Sequence, residues 1–486
     1  MSLLSTFDSL LESWRDIFPQ SRTYARAQRL TFGLLSCLRL HLTSNAICFC
    51  GLQFKDWSAD YRVFSRSFWD PHRLFDPIFA HLARLLPTAD APVVAAIDDT
   101  LCRKTGRKIP GASTGRDPQS LPFHVNLVRG LRFVQVSLLV SPIDQRGPAR
   151  ALPVRFEPAP PAVKPKKNAS EQEKELFREE KKKRSLTTVG VAMISSVRDQ
   201  LDQRPETANR QLIVSGDGSY TNGPVLKKLP PRTTFIGRIR KDAKLFLPLP
   251  EPSGSKSAGR PHRYGPSAPT PEQVLKDESI PLQKVSAFAA GQMREFSLKI
   301  LKSLYWRKSG AGLPLMLVVI KPVGYRLRNG SKLLYRDPAF LICTDLTLAI
   351  ETLLQAYIDR WQIECNHRDE KSFLGVAQGH VRSPLAVARL PQFQVAGYSL
   401  LMLAALLAYG FQRTAAFLPL PKWRGKSIRP SVLDILNLLR QQICGRHLEA
   451  AAGEENNFGY FEDPCPSDTK SRKFALTAES LTTFAA

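Results

Sequence analysis

Acidic residues are scarce in this chain. Against 69 Lys and Arg it has 43 Asp and Glu over 486 residues, a formal net charge of +26. That balance argues against a cationic partner and favours a polyanion, most simply nucleic acid. Cysteine is sparse as well. The eight thiols, Cys37, Cys48, Cys50, Cys102, Cys343, Cys365, Cys444 and Cys465, form no C-x2-C pair and precede no His pair at zinc-finger spacing. They read as buried thiols of a reducing compartment rather than zinc ligands or a disulfide framework. Long apolar runs are rare. The longest, Val395 to Leu407, contains Gly397, Tyr398 and Ser399, is short for a membrane span and predicts a buried core helix. The first residues, MSLLSTFDSLLESWRDIF, are amphipathic and carry acids. They lack the basic n-region of a signal peptide, so no membrane partner is expected.

What is present is a chain 43% hydrophobic, enough for a sizeable core and two or three domains. Residues 1–90 read as a helical N-terminal domain, with Arg22, Arg26, Arg29 and Arg39 interleaved. They are either a small DNA-binding unit or a packing cap with a solvated basic face. From residue 93 the pattern turns to strands. Val93 to Ile97 is an apolar run ending in Asp98-Asp99-Thr100. Phe123 to Val128 and Leu131 to Val140, separated by Arg129-Gly130, predict a hairpin. Pro158 to Arg184 is Pro-rich and charged and predicts a mobile or partly helical excursion. Helix Leu186 to Leu201, strand Gln211 to Ser215, short helix Asn222 to Leu229 and strand Thr233 to Arg240 follow. Glu251 to Pro271 reads as a loop. Strand patterns return in Phe288 to Tyr305, Leu313 to Tyr325 and Lys332 to Cys343.

The most informative segment is Ala356 to Gly375. In it Tyr357, Arg360, Glu364 and Lys371 follow Y-x2-R-x3-E-x6-K. On one helix, offsets of 3, 7 and 14 return to a stripe about 60° wide. One acid then shares a face with two cations and a phenol, potential metal ligand beside potential phosphate ligands. An ion-pair-laced surface helix would use the same residues together with Asp359 and Arg368.

The Y-R-E-K spacing resembles the signature of one branch of bacterial insertion-sequence DDE transposases. That resemblance spans about residues 93 to 410. It implies an α/β fold with an RNase H-like catalytic core, a mixed five-stranded sheet with flanking helices, interrupted by a mainly β insertion. The expected domains are 1–90 (helical), 91–240 (first part of the core), 241–343 (insertion), 344–410 (second part of the core) and 411–486 (a C-terminal tail). In such a core the first acid closes the first strand, the second follows the fourth strand and the third sits on a late helix. Asp98, Asp217 and Glu364 occupy those places by pattern. Asp98 competes with Asp99, and the family's habit of Asp followed two residues later by Thr favours Asp98. Asp217 lies in Gly216-Asp217-Gly218-Ser219-Tyr220-Thr221-Asn222, which resembles the family's second-acid segment and otherwise reads as a turn.

Three carboxylates would bind two divalent cations, Mg2+ or Mn2+, which prefer oxygen ligands and support in-line phosphoryl transfer. The resemblance implies double-stranded DNA, both terminal inverted repeats and target DNA, as substrate. It also implies a homodimer in the synaptic complex and a bacterial, cytoplasmic, nucleoid-associated location. Tyr357, Arg360, Arg368 and Lys371 are the expected phosphate contacts. Trp306, beside Arg307 and Lys308, either stacks on an extruded base or fills a strand core. Arg238, with Arg240 and Lys241, either lines a DNA path or forms the wet face of an edge strand. A nuclease of the same fold without strand transfer, and an inactive DNA-binding regulator, remain as other classes.

Overall fold

The computed structural model describes residues 2–453 apart from 39, 89, 118–119, 122, 125, 143–146, 250–261, 328–329, 377 and 426. Arg39, Cys465, most of the expected loop from Glu251 and the end of the expected tail therefore lie outside the described residues. The chain divides into two compact units, Met1–Ile443 and Cys444–Ala486.

The N-terminal segment is helical: α1 (Leu3–Glu12), α2 (Ser21–Ser36), α3 (Thr43–Phe49), α4 (Ser58–Ser65) and α5 (Asp76–Leu85). Their apolar faces bury Phe7, Leu11, Trp14, Leu34, Phe64 and Phe79. Asp60, itself buried, takes both Arg26 and Arg29 at 4.0 and 3.4 Å, so two of the interleaved arginines serve the fold.

The sheet begins with β1 (Val93–Arg103), β2 (Ser113–Arg116), β3 (Leu127–Val140) and β4 (Arg150–Pro158). After them come α6 (Glu171–Lys183), α7 (Leu186–Asp202), α8 (Pro205–Ala208), β5 (Leu212–Gly216), α9 (Gly223–Leu226) and β6 (Thr233–Arg238). Strand β3 runs antiparallel to both β1 and β4, while β1, β5 and β6 run parallel. The spatial order β4-β3-β1-β5-β6 is compatible with the expected core. α6 covers the charged excursion. A capping box of Ser170 and Glu173 starts it and three lysines end it, and it buries no residue.

Two expectations are corrected here. The predicted hairpin about Arg129-Gly130 is one continuous strand, β3. Gly130 is needed for close approach, not for a turn: a Cβ there would lie 2.6 Å from the Cys102 carbonyl oxygen. Asp98 does not close β1. Its parallel ladder with β5 ends at Ile97 opposite Gly216, but its antiparallel ladder with β3 continues to Arg103 opposite Gly130.

Beyond β6 come β7 (Leu245–Phe246), α10 (Pro271–Lys276), β8 (Gln283–Ala289), β9 (Gln292–Trp306), β10 (Gly310–Ile320), β11 (Gly324–Tyr325), β12 (Leu334–Tyr335) and β13 (Ala339–Cys343). Strand β13 pairs with β6 and with β10, and β10 pairs with β9. The stretch expected as an insertion thus prolongs the sheet, which among the described residues counts eleven strands rather than five. Strand β6 is correspondingly internal, not an edge. Pairing its free edge removes a row of open backbone groups.

The chain then forms α11 (Ile350–Asp359), α12 (Trp361–Phe373), α13 (Pro384–Tyr409) and α14 (Val432–Gly453). α13 is apolar nearly all round, and 94% of its most apolar window is buried. It is the central helix against which α1, α2, α4 and α5 pack and on which β4 lies. That is the environment an all-round apolar helix requires in a soluble core.

Candidate active site

Asp98 and Asp217 meet because β1 and β5 are parallel neighbours. Asp98 follows Ile97, and Asp217 follows that residue's partner, Gly216. Leaving the strand, Asp217 closes an Asx turn: Ser219 N–H donates to its Oδ1 at 2.9 Å, and the Ser219 hydroxyl donates to Oδ2 at 3.1 Å. Asp98 accepts the Asp99 N–H at 2.8 Å. Burial first, and the Asp217 carboxylate second, push the Asp98 carboxyl up to about 7. Arg360 opposes that rise without cancelling it, so added positive charge beside the two acids is favoured.

Successive strand residues point to opposite faces, so Asp99 faces away from Asp98. Its Oδ2 lies 3.2 Å from Arg132 Nε. Burial raises the Asp99 carboxyl, and Arg132 opposes that rise. Asp99 is thus engaged by a cation of its own. Arg132 was not singled out by sequence. Only the register, which sets Asp99 opposite Val134, brings it within reach.

Glu364 arrives on α12. The four-residue stripe does not lie on one uninterrupted helix: α11 ends at Asp359 and α12 begins at Trp361. Arg360 joins them in right-handed helical conformation, so the direction of the stripe survives the junction. Arg360 Nη2 donates to Glu364 Oε1 at 2.9 Å, and its Nη1 lies 3.9 Å from Asp98 Oδ2. The guanidinium therefore links the helix acid to the strand acid. Tyr357 is half-buried against the sheet's second apolar cluster. Lys371 is half-buried, and its charge acts on Cys102, His367 and Glu370. Arg368 is exposed and pairs with its neighbour Asp369 at 3.0 Å.

Among the described residues no group of three His, Cys, Asp or Glu is gathered closely enough to hold a metal ion as it stands. The donor chemistry nevertheless fits a hard divalent cation. Asp98, Asp217 and Glu364 all offer carboxylate oxygens, and the cation on Asp98 and Glu364 is the shared Arg360 guanidinium. Oxygen-only ligation is what magnesium and manganese prefer.

Trp306 ends β9 and is 8% exposed, with Lys308 Nζ over its ring at 4.9 Å. It also lines a cavity of about 1050 Å3, whose wall includes Gly218, Thr221, Arg238, Lys244, Arg307 and Lys308. Packing and access to a groove beside the Asp217 segment thus coexist at this indole. The β9–β10 turn presses on that segment, since a Cβ on Gly223 would lie 2.7 Å from the Lys308 carbonyl oxygen. Arg238 is exposed at the end of β6. Arg240 forks onto Asp242 at 2.9 Å through two nitrogens, and Lys241 lies 3.7 Å from Glu272.

Residues 55–296 match the family model of the DDE superfamily endonuclease. The match contains Asp98 and Asp217 and ends before Glu364. This stretch is thus similar to DDE superfamily endonuclease domains. A comparison with curated proteins found no match.

Proposed function

We propose that this chain, with its stretch similar to DDE superfamily endonuclease domains, is the transposase of a bacterial insertion sequence, of the branch marked by Tyr357, Arg360, Glu364 and Lys371. It would cleave DNA at the element's terminal inverted repeats and join the freed 3′-OH groups to target DNA. The observation that carries this reading is the Arg360 guanidinium spanning Glu364 and Asp98 beside Asp217. Through Arg360 the helix acid Glu364 is tied to the strand acid Asp98, which neighbours Asp217, and a guanidinium suited to a phosphate lies among them.

Asp98, Asp217 and Glu364 would hold the divalent cations, two magnesium or manganese ions. Bound there, such ions supply charge neutralisation at the phosphate and activation of the attacking oxygen. The protein's own groups do the rest. Arg360 is suited to exchange its carboxylate partners for a phosphate, which its fork fits equally well. Lys371 and Tyr357 extend the phosphate track along the same helical direction. The groove at Trp306, with Arg238, Arg307 and Lys308, would receive the strand leading away from the cleavage site. Two element ends require two copies, hence a homodimer on DNA. Asp99, held by Arg132, is left as a structural acid.

The test is a plasmid carrying the coding region with its natural flanks, incubated with the full-length protein and Mg2+ or Mn2+. Breaks at short inverted repeats, followed by joining to a second plasmid, support the proposal. Metal-dependent breaks without joining favour a nuclease. Specific binding without breaks favours a regulator.

A further inference from the structure

α12 packs on β1, β3, β4 and α13. Its buried face, Ile363, Asn366, His367 and Glu370, is unusually polar for a helix laid on a sheet. Asn366 Nδ2 donates to Ser137 Oγ and to the Ala151 carbonyl oxygen, both at 3.3 Å. The Tyr398 hydroxyl, from α13, donates to Asn366 Oδ1 at 3.2 Å. Gln135 Nε2 donates to the same Ser137 Oγ at 3.1 Å. Gln135 and Ser137 are 0% exposed, Tyr398 2% and Asn366 3%.

The register gives this chain of bonds its meaning. Gln135 lies directly opposite Asp98, and Ser137 opposite Ala96. Directly paired antiparallel residues share a face, so Asp98, Gln135 and Ser137 all look toward α12. Asn366 is two residues from Glu364, about 200° around the helix. A rotation of α12 that broke the Asn366 bonds would carry Glu364 along the sheet, away from Asp98. Packing alone resists such rotation weakly, because apolar contacts are not directional. Hydrogen bonds to fixed strand positions resist it strongly.

We infer that Gln135, Ser137, Asn366 and Tyr398 form a rotational lock on α12 that sets the azimuth at which Glu364 faces Asp98. They are positioning residues for the metal-dependent site, and the inference rests on the reading of Asp98 and Glu364 as metal ligands. Glu370 lies one turn further on, on the same buried face of α12. The Oε1 atoms of Gln135 and Glu370 are both buried without a partner.

The test is Mn2+ binding to the full-length protein, followed by titration calorimetry, with the melting temperature of each variant measured alongside. Asp98→Asn and Glu364→Gln serve as references and should weaken Mn2+ binding. Ser137→Ala removes the shared node at small cost in volume, and Asn366→Leu removes all three Asn366 bonds. Each should weaken Mn2+ binding by about 10-fold, as loss of outer-shell support does, in protein that is fully folded at the assay temperature. Wild-type Mn2+ affinity in folded Ser137→Ala and Asn366→Leu, with the references impaired, overturns the lock. If Asn366→Leu fails to fold, Ser137→Ala decides alone. If Glu364→Gln binds Mn2+ as wild type does, the ligand reading fails and the lock falls with it.

Discussion

Arg360 and Glu364 form an i,i+4 ion pair across the junction of α11 and α12, with Nη2 and Oε1 2.9 Å apart and the arginine side chain 17% exposed. The orientation is the reverse of the one that best supports a helix, in which the acid precedes the base. The pair therefore adds little to helix stability. What it does is neutralise a carboxylate near Asp98. Arg360→Ala should accordingly change stability by no more than about 1 kcal/mol. It should weaken DNA binding and reduce its salt dependence by about one counterion. Lys371→Ala should do the same to a similar extent. Normal cleavage and unaltered salt dependence in the double variant would sink the phosphate role.

Asp98→Asn, Asp217→Asn and Glu364→Gln should each reduce metal-dependent DNA cleavage to background while leaving DNA binding nearly intact, because each removes one oxygen ligand and little packing. Asp99→Asn should behave differently. It releases Arg132 from a 3.2 Å partner and should lower the melting temperature while retaining cleavage. A dead but stable Asp99→Asn variant beside an active Asp98→Asn one reverses the choice within the pair. Excess chelator should stop all cleavage by the wild type.

How much of this was legible in the sequence follows from how local each feature is. The runs before Asp98 and Asp217 are short, apolar and buried on both faces, which periodicity and composition reveal. The Y-R-E-K stripe is a helical spacing and needs no tertiary knowledge. Gly130 was misread because a glycine beside an arginine signals a turn locally. Its real cause is a carbonyl on a strand about thirty residues earlier. The attachment of β13 to β6 was invisible for the same reason: an apolar strand announces its burial, not its partner. The Gln135–Ser137–Asn366 chain was missed because buried amides and hydroxyls carry no pattern until the register is known.

Gly130→Ala tests the close-approach account directly. Its backbone is not among the positive-φ positions, so the substitution meets no intrinsic strain. The added methyl nevertheless meets a strand carbonyl at 2.6 Å. Separating β1 from β3 locally should cost about 1–3 kcal/mol, the usual cost of overpacking. Chemical denaturation measures it, and an unchanged midpoint would show that the two strands have room to spare.

Buried acids should make the fold lose stability with rising pH. Glu370 is pushed from 4.5 to about 8, chiefly by burial, with Lys371 and Gln135 opposing the rise and Asp369 adding to it. Its folded pKa exceeds its unfolded one, so the folded state holds a proton that the unfolded chain releases between these values. The contribution to stability is complete below about 4.5 and is lost as pH rises through about 8. Within that window one group changes stability by up to about 1.4 kcal/mol per pH unit. Asp359 and Glu157, both raised to about 7 by burial, act in the same direction. His367, lowered to about 3 by burial, acts oppositely, and only below its ordinary value of 6.5. Melting temperatures should fall from pH 6 to pH 8 in the wild type and fall less in Glu370→Gln. Parallel slopes for the two proteins would mean that Glu370 is ionised in the fold.

Trp306 should show two separable losses. Its ring belongs to the main apolar core, so Trp306→Ala should cost about 3–5 kcal/mol of stability. Trp306→Phe keeps an aromatic ring in the site and should cost far less. The same indole edges the cavity shared with Arg238, Arg307 and Lys308, where stacking on an unpaired base would contribute about 1–3 kcal/mol. First-strand nicking needs no unpaired base. In Trp306→Ala protein assayed well below its melting temperature, nicking should therefore persist while second-strand release slows. An abasic residue at the unpaired position should partly restore the slowed step, because unstacking costs less there. Trp306→Phe should fall between the two. If every step instead declines together and tracks the melting temperature across the three proteins, Trp306 is a packing residue and the cavity takes no base.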